Sequence, residues 1–431
     1  MQFHSTRGGV KTASLARAII EGLAVDGGLY LPNRVPKLNK RFVANLQKKD
    51  FQQIAVETLQ PFMSEVPAAK LRRMSADAFN FSVPLKRIDD SLYVLELFHG
   101  PTLSFKDFGA RFLARLLQLF LEEKKEKAKI IVATSGDTGS AVASGFLGMP
   151  NIQVFVLYPK GRISKLQEQQ ITTYGQNITA LEVQGKFDDC QRLAKEALSI
   201  GKSHDGVHLS SANSINIGRL LPQSLYYLYA IAELRRQGVS RAPRFIVPSG
   251  NFGNLTAGLL AKKMGAQISG FVAATNMNDI VPIYLRTGRF KPRASKSTLS
   301  NAMDVGDPSN FARMLELYDG RQDKMARDIT GFATSDKETM ATITDTYRRY
   351  KYVVDPHTAV GITAARKYRQ QHPCNEPMIV LSTAHPAKFK TIVERAIQKK
   401  ISLPRELAAV VERKKKTVLV RAKIDDVMRV L

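Results

Sequence analysis

The sequence contains no tryptophan and only two cysteines, Cys190 and Cys374, in 431 residues. The cysteines are far apart and form no CxxC pair, which excludes a zinc ribbon or a disulfide framework and points to a reducing compartment. No apolar run reaches the ~18 residues that would indicate a membrane span. The opening residues, MQFHSTRGGVKTASLARAII, lack the charged-then-apolar pattern and cleavage site of an export signal, so a cytoplasmic location is the expectation. Internal repeats and low-complexity linkers are missing too. None of the seven histidines has metal-ligand spacing, and no metal is expected. Acidic residues are scarce relative to basic ones, 38 against 64, for a formal charge of +26. The basic residues are spread along the chain, without a zinc pattern, an RNP-like aromatic stretch or a basic zipper, so no specific nucleic-acid partner is expected. A generally positive surface would steer a small phosphorylated molecule toward a site.

What is present is a repeated strand–loop–helix pattern over a length that predicts two or three domains. Residues 12–22, 42–59 and 68–79 have helical spacing, broken by Asp26-Gly27-Gly28 and several prolines, so residues 1–90 read as a mainly helical region. Beyond it, short apolar runs precede small polar loops and then helices. IIVA at 130–133 leads into TSGDTGSAVASGFL, and QVFVLY at 153–158 leads into a basic turn and ISKLQEQQI. Residues 180–183 lead into GKFDDCQRLAKEAL, FIV at 245–247 into PSGNFGNLTAGLLAKKM, and MIVL at 378–381 into STAHPAKFKTIVERAI. Such runs predict parallel strands buried on both faces, and the fold class is α/β. The expected division is a smaller α/β domain over 91–215 and a larger one over 216–431, whose last stretch, 418–431, reads as a strand and a closing helix.

In open parallel sheets ligands lie on the loops at the carboxyl ends of strands, and the chemistry here is found on such loops. Lys106, in LELFHGPTLSFKDFGARFLARLL, stands between Phe105 and Phe108 at the start of an amphipathic helix. A desolvated lysine loses its preference for the charged form, and its neutral amine can condense with a carbonyl; the alternative is a lysine that snorkels. Ser249-Gly250-Asn251-Phe252-Gly253-Asn254 follows a strand and opens a helix, either as a phosphate cradle without a Walker lysine or as a turn that caps the helix. Residues 134–140 (TSGDTGS) offer hydroxyls and N–H groups suited to a carboxylate or second phosphate, or to capping. Residues 210–219 set polar amides ahead of Arg219, which reads either as an oxyanion grip or as an ion-pair partner. Thr383, after the last apolar strand, could bond a heteroaromatic nitrogen or cap a helix. Together these are the parts of a pyridoxal-phosphate (PLP) site.

At these residues the chain resembles the threonine synthase family, in its shorter bacterial and fungal form. The resemblance rests on STRG at 5–8, DGGLY at 26–30, FHGPTLSFKD at 98–107 and SGDTGS at 135–140. It continues through NSIN at 213–216 with Arg219, VPSGNFGN at 247–254, AATNMND at 273–279, LSNAMDV at 299–305 and TAHPAKF at 383–389. Ser104, where many relatives have alanine, and Pro222, inside an expected helix, depart from the pattern without removing a functional group. The resemblance implies PLP-dependent fold type II, with two open, twisted, mostly parallel sheets flanked by helices. It implies Lys106 as the Schiff-base lysine, Gly250, Asn251, Phe252, Gly253 and Asn254 around the cofactor phosphate, and Thr383 at the pyridine nitrogen. Ser135, Asp137, Thr138, Asn213, Ser214 and Asn216 would bind substrate. Arg219, with Lys165 as a weaker candidate, would meet the substrate phosphate. The implied reaction converts O-phospho-L-homoserine and water to L-threonine and phosphate. A phospho-lyase giving 2-oxobutyrate, ammonia and phosphate from the same substrate is the alternative. Monomer and homodimer both stay open.

Overall fold

Each apolar run becomes a strand because its side chains are covered on both faces. The computed structural model describes residues 1–200, 206–373 and 375–431, so Cys374 lies outside the described residues. Cys190 is buried, and burial pushes its thiol up to about 12. An N-terminal antiparallel sheet holds β1 (Gln2–Ser5), β2 (Ala13–Ser14) and β3 (Tyr30–Pro32) in the order β2-β1-β3. The larger sheet contains β4 (Leu85–Arg87), β5 (Leu92–Glu96), β10 (Arg244–Pro248), β11 (Gly270–Thr275), β12 (Ile329–Ala333) and β13 (Met378–Ser382), in the order β12-β11-β10-β13-β5-β4. The smaller sheet contains β6 (Lys127–Ala133), β7 (Ile152–Pro159), β8 (Ile178–Gln184), β9 (Val207–Ser211) and β14 (Val418–Arg421), in the order β14-β8-β7-β6-β9. Every pairing in these two sheets is parallel except β4 with β5. All residues of β5, β11 and β13 are buried, as strands sandwiched between helix layers must be.

Two expectations need correction. The 91–215 and 216–431 segments are not two self-contained sheets. β5 pairs with β13 in the larger sheet, and β14 returns to pair with β8 in the smaller one. Neighbours in a parallel sheet are selected by tertiary packing, so sequence blocks and sheets do not coincide. Residues 1–90 are mainly helical, with helices Leu15–Glu21, Phe51–Leu59 and Ala68–Ala78, but they also hold the small antiparallel sheet. Pro222 does interrupt its helix: a 3-10 segment, Leu221–Ser224, separates Ile217–Leu220 from Leu225–Arg236. After β14 comes the short closing helix Ile424–Met428. Among the described residues no helix is long and apolar enough to cross a membrane.

The helix Lys106–Lys124 is the axis on which the three parts meet. Its Phe108 is fully buried, with ring centroids 5.8 Å from Phe51, 6.0 Å from Phe79, 5.0 Å from Phe81 and 5.5 Å from Tyr226. This cluster fastens the N-terminal helices against the element that starts with Lys106. Phe108→Ala should therefore cost about 3–5 kcal/mol. The check is the urea midpoint of unfolding, which should fall well below that of the wild type.

Candidate active site

The loops that follow β5, β6, β9, β10 and β13 converge on one cavity at the carboxyl ends of the strands. Its wall includes Lys106, Ser135, Asp137, Thr138, Asn213, Ser214, Arg219, residues 250–254 and Thr383. Lys106 and Thr383 are placed together by an isolated antiparallel bridge between Ser104 and Ala384, just beyond the end of the parallel β5–β13 pairing. The Leu97 N–H donates to Ser382 O (3.0 Å), the Phe105 N–H to Thr383 O (2.9 Å) and the His385 N–H to Leu103 O (3.1 Å). Leu103 takes a left-handed conformation at this point, φ 57°, to turn the chain into the helix. Asp107 closes the turn by accepting from the Thr102 N–H at 2.9 Å and the Thr102 hydroxyl at 2.7 Å; burial raises its carboxyl to about 6.

The Lys106 ammonium has no hydrogen-bond or ion-pair partner among the described residues; its Nζ stands over the Phe105 ring, 5.7 Å from the centroid. Desolvation lowers its pKa to about 8, with Asp137 pulling upward and Arg219 and Lys388 pushing down. A lysine in this condition supplies neutral amine near neutral pH. It is not a snorkelling lysine.

The loop after β10 has the form of an anion cradle. Phe252 takes φ 59° just before the helix Gly253–Met264, a strain of order 1 kcal/mol or more for a side chain of that size. The N–H groups of Phe252, Gly253 and Asn254 have no acceptor among the described residues. They point out of a positive helix end, a ready site for a phosphate. Asn254 is not free to bind through its amide, which accepts from Ser249 Oγ at 2.9 Å and donates to Pro248 O at 2.8 Å. Gly250 is required sterically: a Cβ there would lie 2.8 Å from Met303 Cα and 2.9 Å from Ala302 O. The Thr383 hydroxyl makes no hydrogen bond among the described residues, so it can serve a ring nitrogen in the cavity. Lone amine, phosphate cradle and free hydroxyl on one cavity fit PLP.

The residues expected to bind substrate separate into those that face the cavity freely and those already engaged. Arg219 is buried; one Nη donates to Ala212 O at 2.5 Å, while Nε has no partner. Burial lowers its pKa to about 10, so it stays charged. The Lys106 helix passes directly over it because Gly109 has no side chain; a Cβ would meet Arg219 O at 2.7 Å and Nε at 2.8 Å. Asn213 lines the cavity, but its amide is locked to the Ala133 backbone at 2.9 and 3.2 Å. Asn216 is a correction. It caps the helix Ile217–Leu220 through the Gly218 N–H, donates to Ile19 O and Ser211 O, and does not line the cavity. Lys165 is exposed and outside the cavity as well.

Asp137 needs a different reading from the expected anion ligand. Burial alone would raise its carboxyl, but the charges of Lys388 and Lys106 and bonds from Lys388 and Gln167 hold it well below the usual range. A permanently ionised carboxylate repels a substrate carboxylate or phosphate, so its partners must be cations. Lys388, which sequence reasoning passed over inside TAHPAKF, is one of them, at 2.9 Å. His357 was also missed. It is buried on the cavity wall, bonded through Nδ1 to Asp355 at 2.7 Å, and accepts the Ala302 N–H on Nε2 at 3.2 Å. His99 and His385 are not on the cavity wall: His99 pairs with Glu96 at 2.7 Å and His385 caps the Ala387 N–H. Among the described residues no cluster could hold a metal ion.

Known proteins share this fold and much of this sequence. A model described as pyridoxal-phosphate-dependent enzyme matches residues 76–383, and models of the threonine synthase N terminus and C-terminal region match residues 2–79 and 358–431. A threonine synthase of Buchnera aphidicola is 43% identical over 412 residues, covering 94% of both chains. The crystal structure of PLP-bound threonine synthase from Brucella melitensis superposes with a TM-score of 0.92 at 36% identity, covering 100% of this chain and 98% of that one. Threonine synthase from Escherichia coli superposes equally well, TM-score 0.92 at 39% identity, over 100% and 99% of the two chains. Fold and cavity thus define a PLP-dependent enzyme of fold type II. Within that class, the chain belongs to the threonine synthase family.

Gly250→Ala should force the Ala302–Met303 backbone outward, because both contacts are with main chain that cannot swing away. The expected result is weaker PLP binding, measured by titrating the cofactor absorbance of the variant against the wild type. Unchanged affinity would show that the turn yields freely.

Proposed function

We propose that this chain converts O-phospho-L-homoserine and water to L-threonine and phosphate, in the cytoplasm, with the site residues acting as follows. The observation that carries the choice of a phosphorylated substrate is Arg219. It is a buried, charged guanidinium on a residue that lines the same cavity as Lys106, and the Gly253 helix end is already suited to a different phosphate.

Residues 250–254 would hold the cofactor phosphate through backbone N–H groups, with Phe252 strained into position. Thr383 would face the pyridine nitrogen with a hydroxyl, which does not force a proton onto that nitrogen as a carboxylate would. Bound PLP supplies an electron sink for bonds at Cα of an amino acid attached to it. Lys106, neutral over a useful part of the population near pH 8, would take the Cα proton on Nζ and later return one there. Arg219 would hold the phosphate group before and after it leaves Cγ, in a low-dielectric setting where a fixed charge acts strongly on the developing dianion. Ser135 and Thr138, with the N–H groups of their loop, would bind the substrate carboxylate, and Ser214 would complete that wall. Phe105, Phe187 and Phe252 line the cavity and limit water to the molecule that adds at Cβ.

Three measurements test this reading. Lys106→Ala should abolish both the visible absorbance of bound cofactor and threonine formation from O-phosphohomoserine. The wild type should release threonine and phosphate in equal amounts; 2-oxobutyrate and ammonia in place of threonine would make it a phospho-lyase. Arg219→Met should reduce kcat/KM by a factor of a hundred or so, the scale of one charged transition-state contact, with cofactor absorbance retained.

A further inference from the structure

Lys388 is a buried cation beside the cavity, and the reaction as described gives it no task. Its side chain is fully enclosed. It extends from the turn Pro386–Phe389, after β13 of the larger sheet, and makes two bonds. One is the ion pair with Asp137 Oδ1 at 2.9 Å, at the start of the helix that follows β6 of the smaller sheet. The other donates to Thr102 O at 2.9 Å, in the loop that delivers Lys106. Gln167 Nε2 donates to the same Asp137 oxygen at 2.9 Å, and Gln170 donates to the same Thr102 carbonyl at 3.2 Å. One ammonium therefore joins the two loops on either side of the Lys106 amine, across the two sheets.

Removing an ammonium and a carboxylate from water is costly, and an apolar pair of the same size would often pack as well. The arrangement makes sense if the charges act on a third group. The charged groups that act on Lys106 are Asp137, from the helix after β6, Arg219, from the helix Ile217–Leu220, and Lys388, from the turn after β13. Asp107, engaged by Thr102, acts instead on Lys388 and Arg219. Asp137 attracts a proton on Lys106, while Arg219 and Lys388 repel it.

We propose that Lys388 is a positioning residue that holds the Asp137 carboxylate in place and away from Lys106, so that the Lys106 amine remains available in its neutral form. This rests on the reading of Lys106 as the cofactor-attaching lysine. The sign follows from the geometry. With Lys388→Met the repulsion on Lys106 is lost, and the nearest cation left to Asp137 is Lys106 itself. Both changes strengthen the hold on the Lys106 proton.

The test is the titration of the Lys106 amine in the full chain freed of cofactor. It is followed by competitive labelling with acetic anhydride over the neutral-to-alkaline range and mass spectrometry of the Lys106 peptide. Lys388→Met should move the titration upward by about one unit, a tenfold loss of neutral amine at a given pH below it. Lys388→Arg, which keeps the charge, should restore the wild-type curve. Asp137→Asn should move it the other way, downward, since the attraction is gone. A purely structural strut would lower the melting temperature and leave these curves in place. An unshifted or lowered curve in the Met variant, or a shift that Arg does not restore, overturns the proposal. If the Met variant does not fold, an Asp137→Asn curve that fails to fall overturns it equally. The Lys106 peptide titrates whether or not cofactor attaches there, so failure of the attachment reading, seen as cofactor absorbance surviving in Lys106→Ala, is a separate result.

Discussion

One ionised carboxylate, Asp137, sits among three cations at the junction of the two sheets: it is ion-paired to Lys388 and acts electrostatically on Lys106, which also feels Arg219. Water is largely excluded, so these charges act on each other at low dielectric, and which of them carries a proton is decided by small displacements. Lys106 is left without a bond of its own. Lys388 is held on two sides. Arg219 keeps its charge and an unused donor. The three cations are alike in formal charge and different in availability, and that difference divides the work between attaching a cofactor, holding a loop and receiving an anion.

The fold exists around this junction. The N-terminal helices are fastened to the Lys106 helix by the aromatic cluster at Phe108, and an antiparallel bridge of Ser104 with Ala384, just past the ends of β5 and β13, brings Lys106 beside Thr383. The smaller sheet contributes Asp137 from the end of β6 and the Asn213–Ser214 wall from the end of β9. Two non-glycine residues at positive φ, Leu103 and Phe252, stand on the loops that build the cavity. Such strain persists only where the surrounding packing over-determines the conformation, and both residues are buried.

Much of this was legible in the residues, for definite reasons. Parallel strands buried on both faces must be apolar throughout, so β6, β7, β10 and β13 stood out as runs; glycine, serine and asparagine at their ends marked the loops. The strands β1, β2 and β3 are two to four residues long and antiparallel. A segment that short carries no period, and its partner is chosen by tertiary contact. The separation of β5 from β6 and of β14 from β13, each pair split between the two sheets, was hidden because partners in a parallel sheet are chosen by tertiary contact. At the site, Asn216 and Asn213 read as ligands because an amide looks the same in sequence whether it serves a substrate or a backbone. Lys388 went unremarked inside TAHPAKF, because nothing in the sequence marks that lysine as buried. Only its burial, and the carboxylate it meets, give it a different meaning.

The claim on which the account turns is that Lys106, and not the neighbouring Lys388, is the amine offered to the cofactor. Borohydride reduction of the PLP-loaded enzyme, followed by peptide mapping, tests it directly. The account predicts a single phosphopyridoxyl group, on Lys106. A label on Lys388, or on any lysine outside the cavity with Lys106 unmodified, would contradict it.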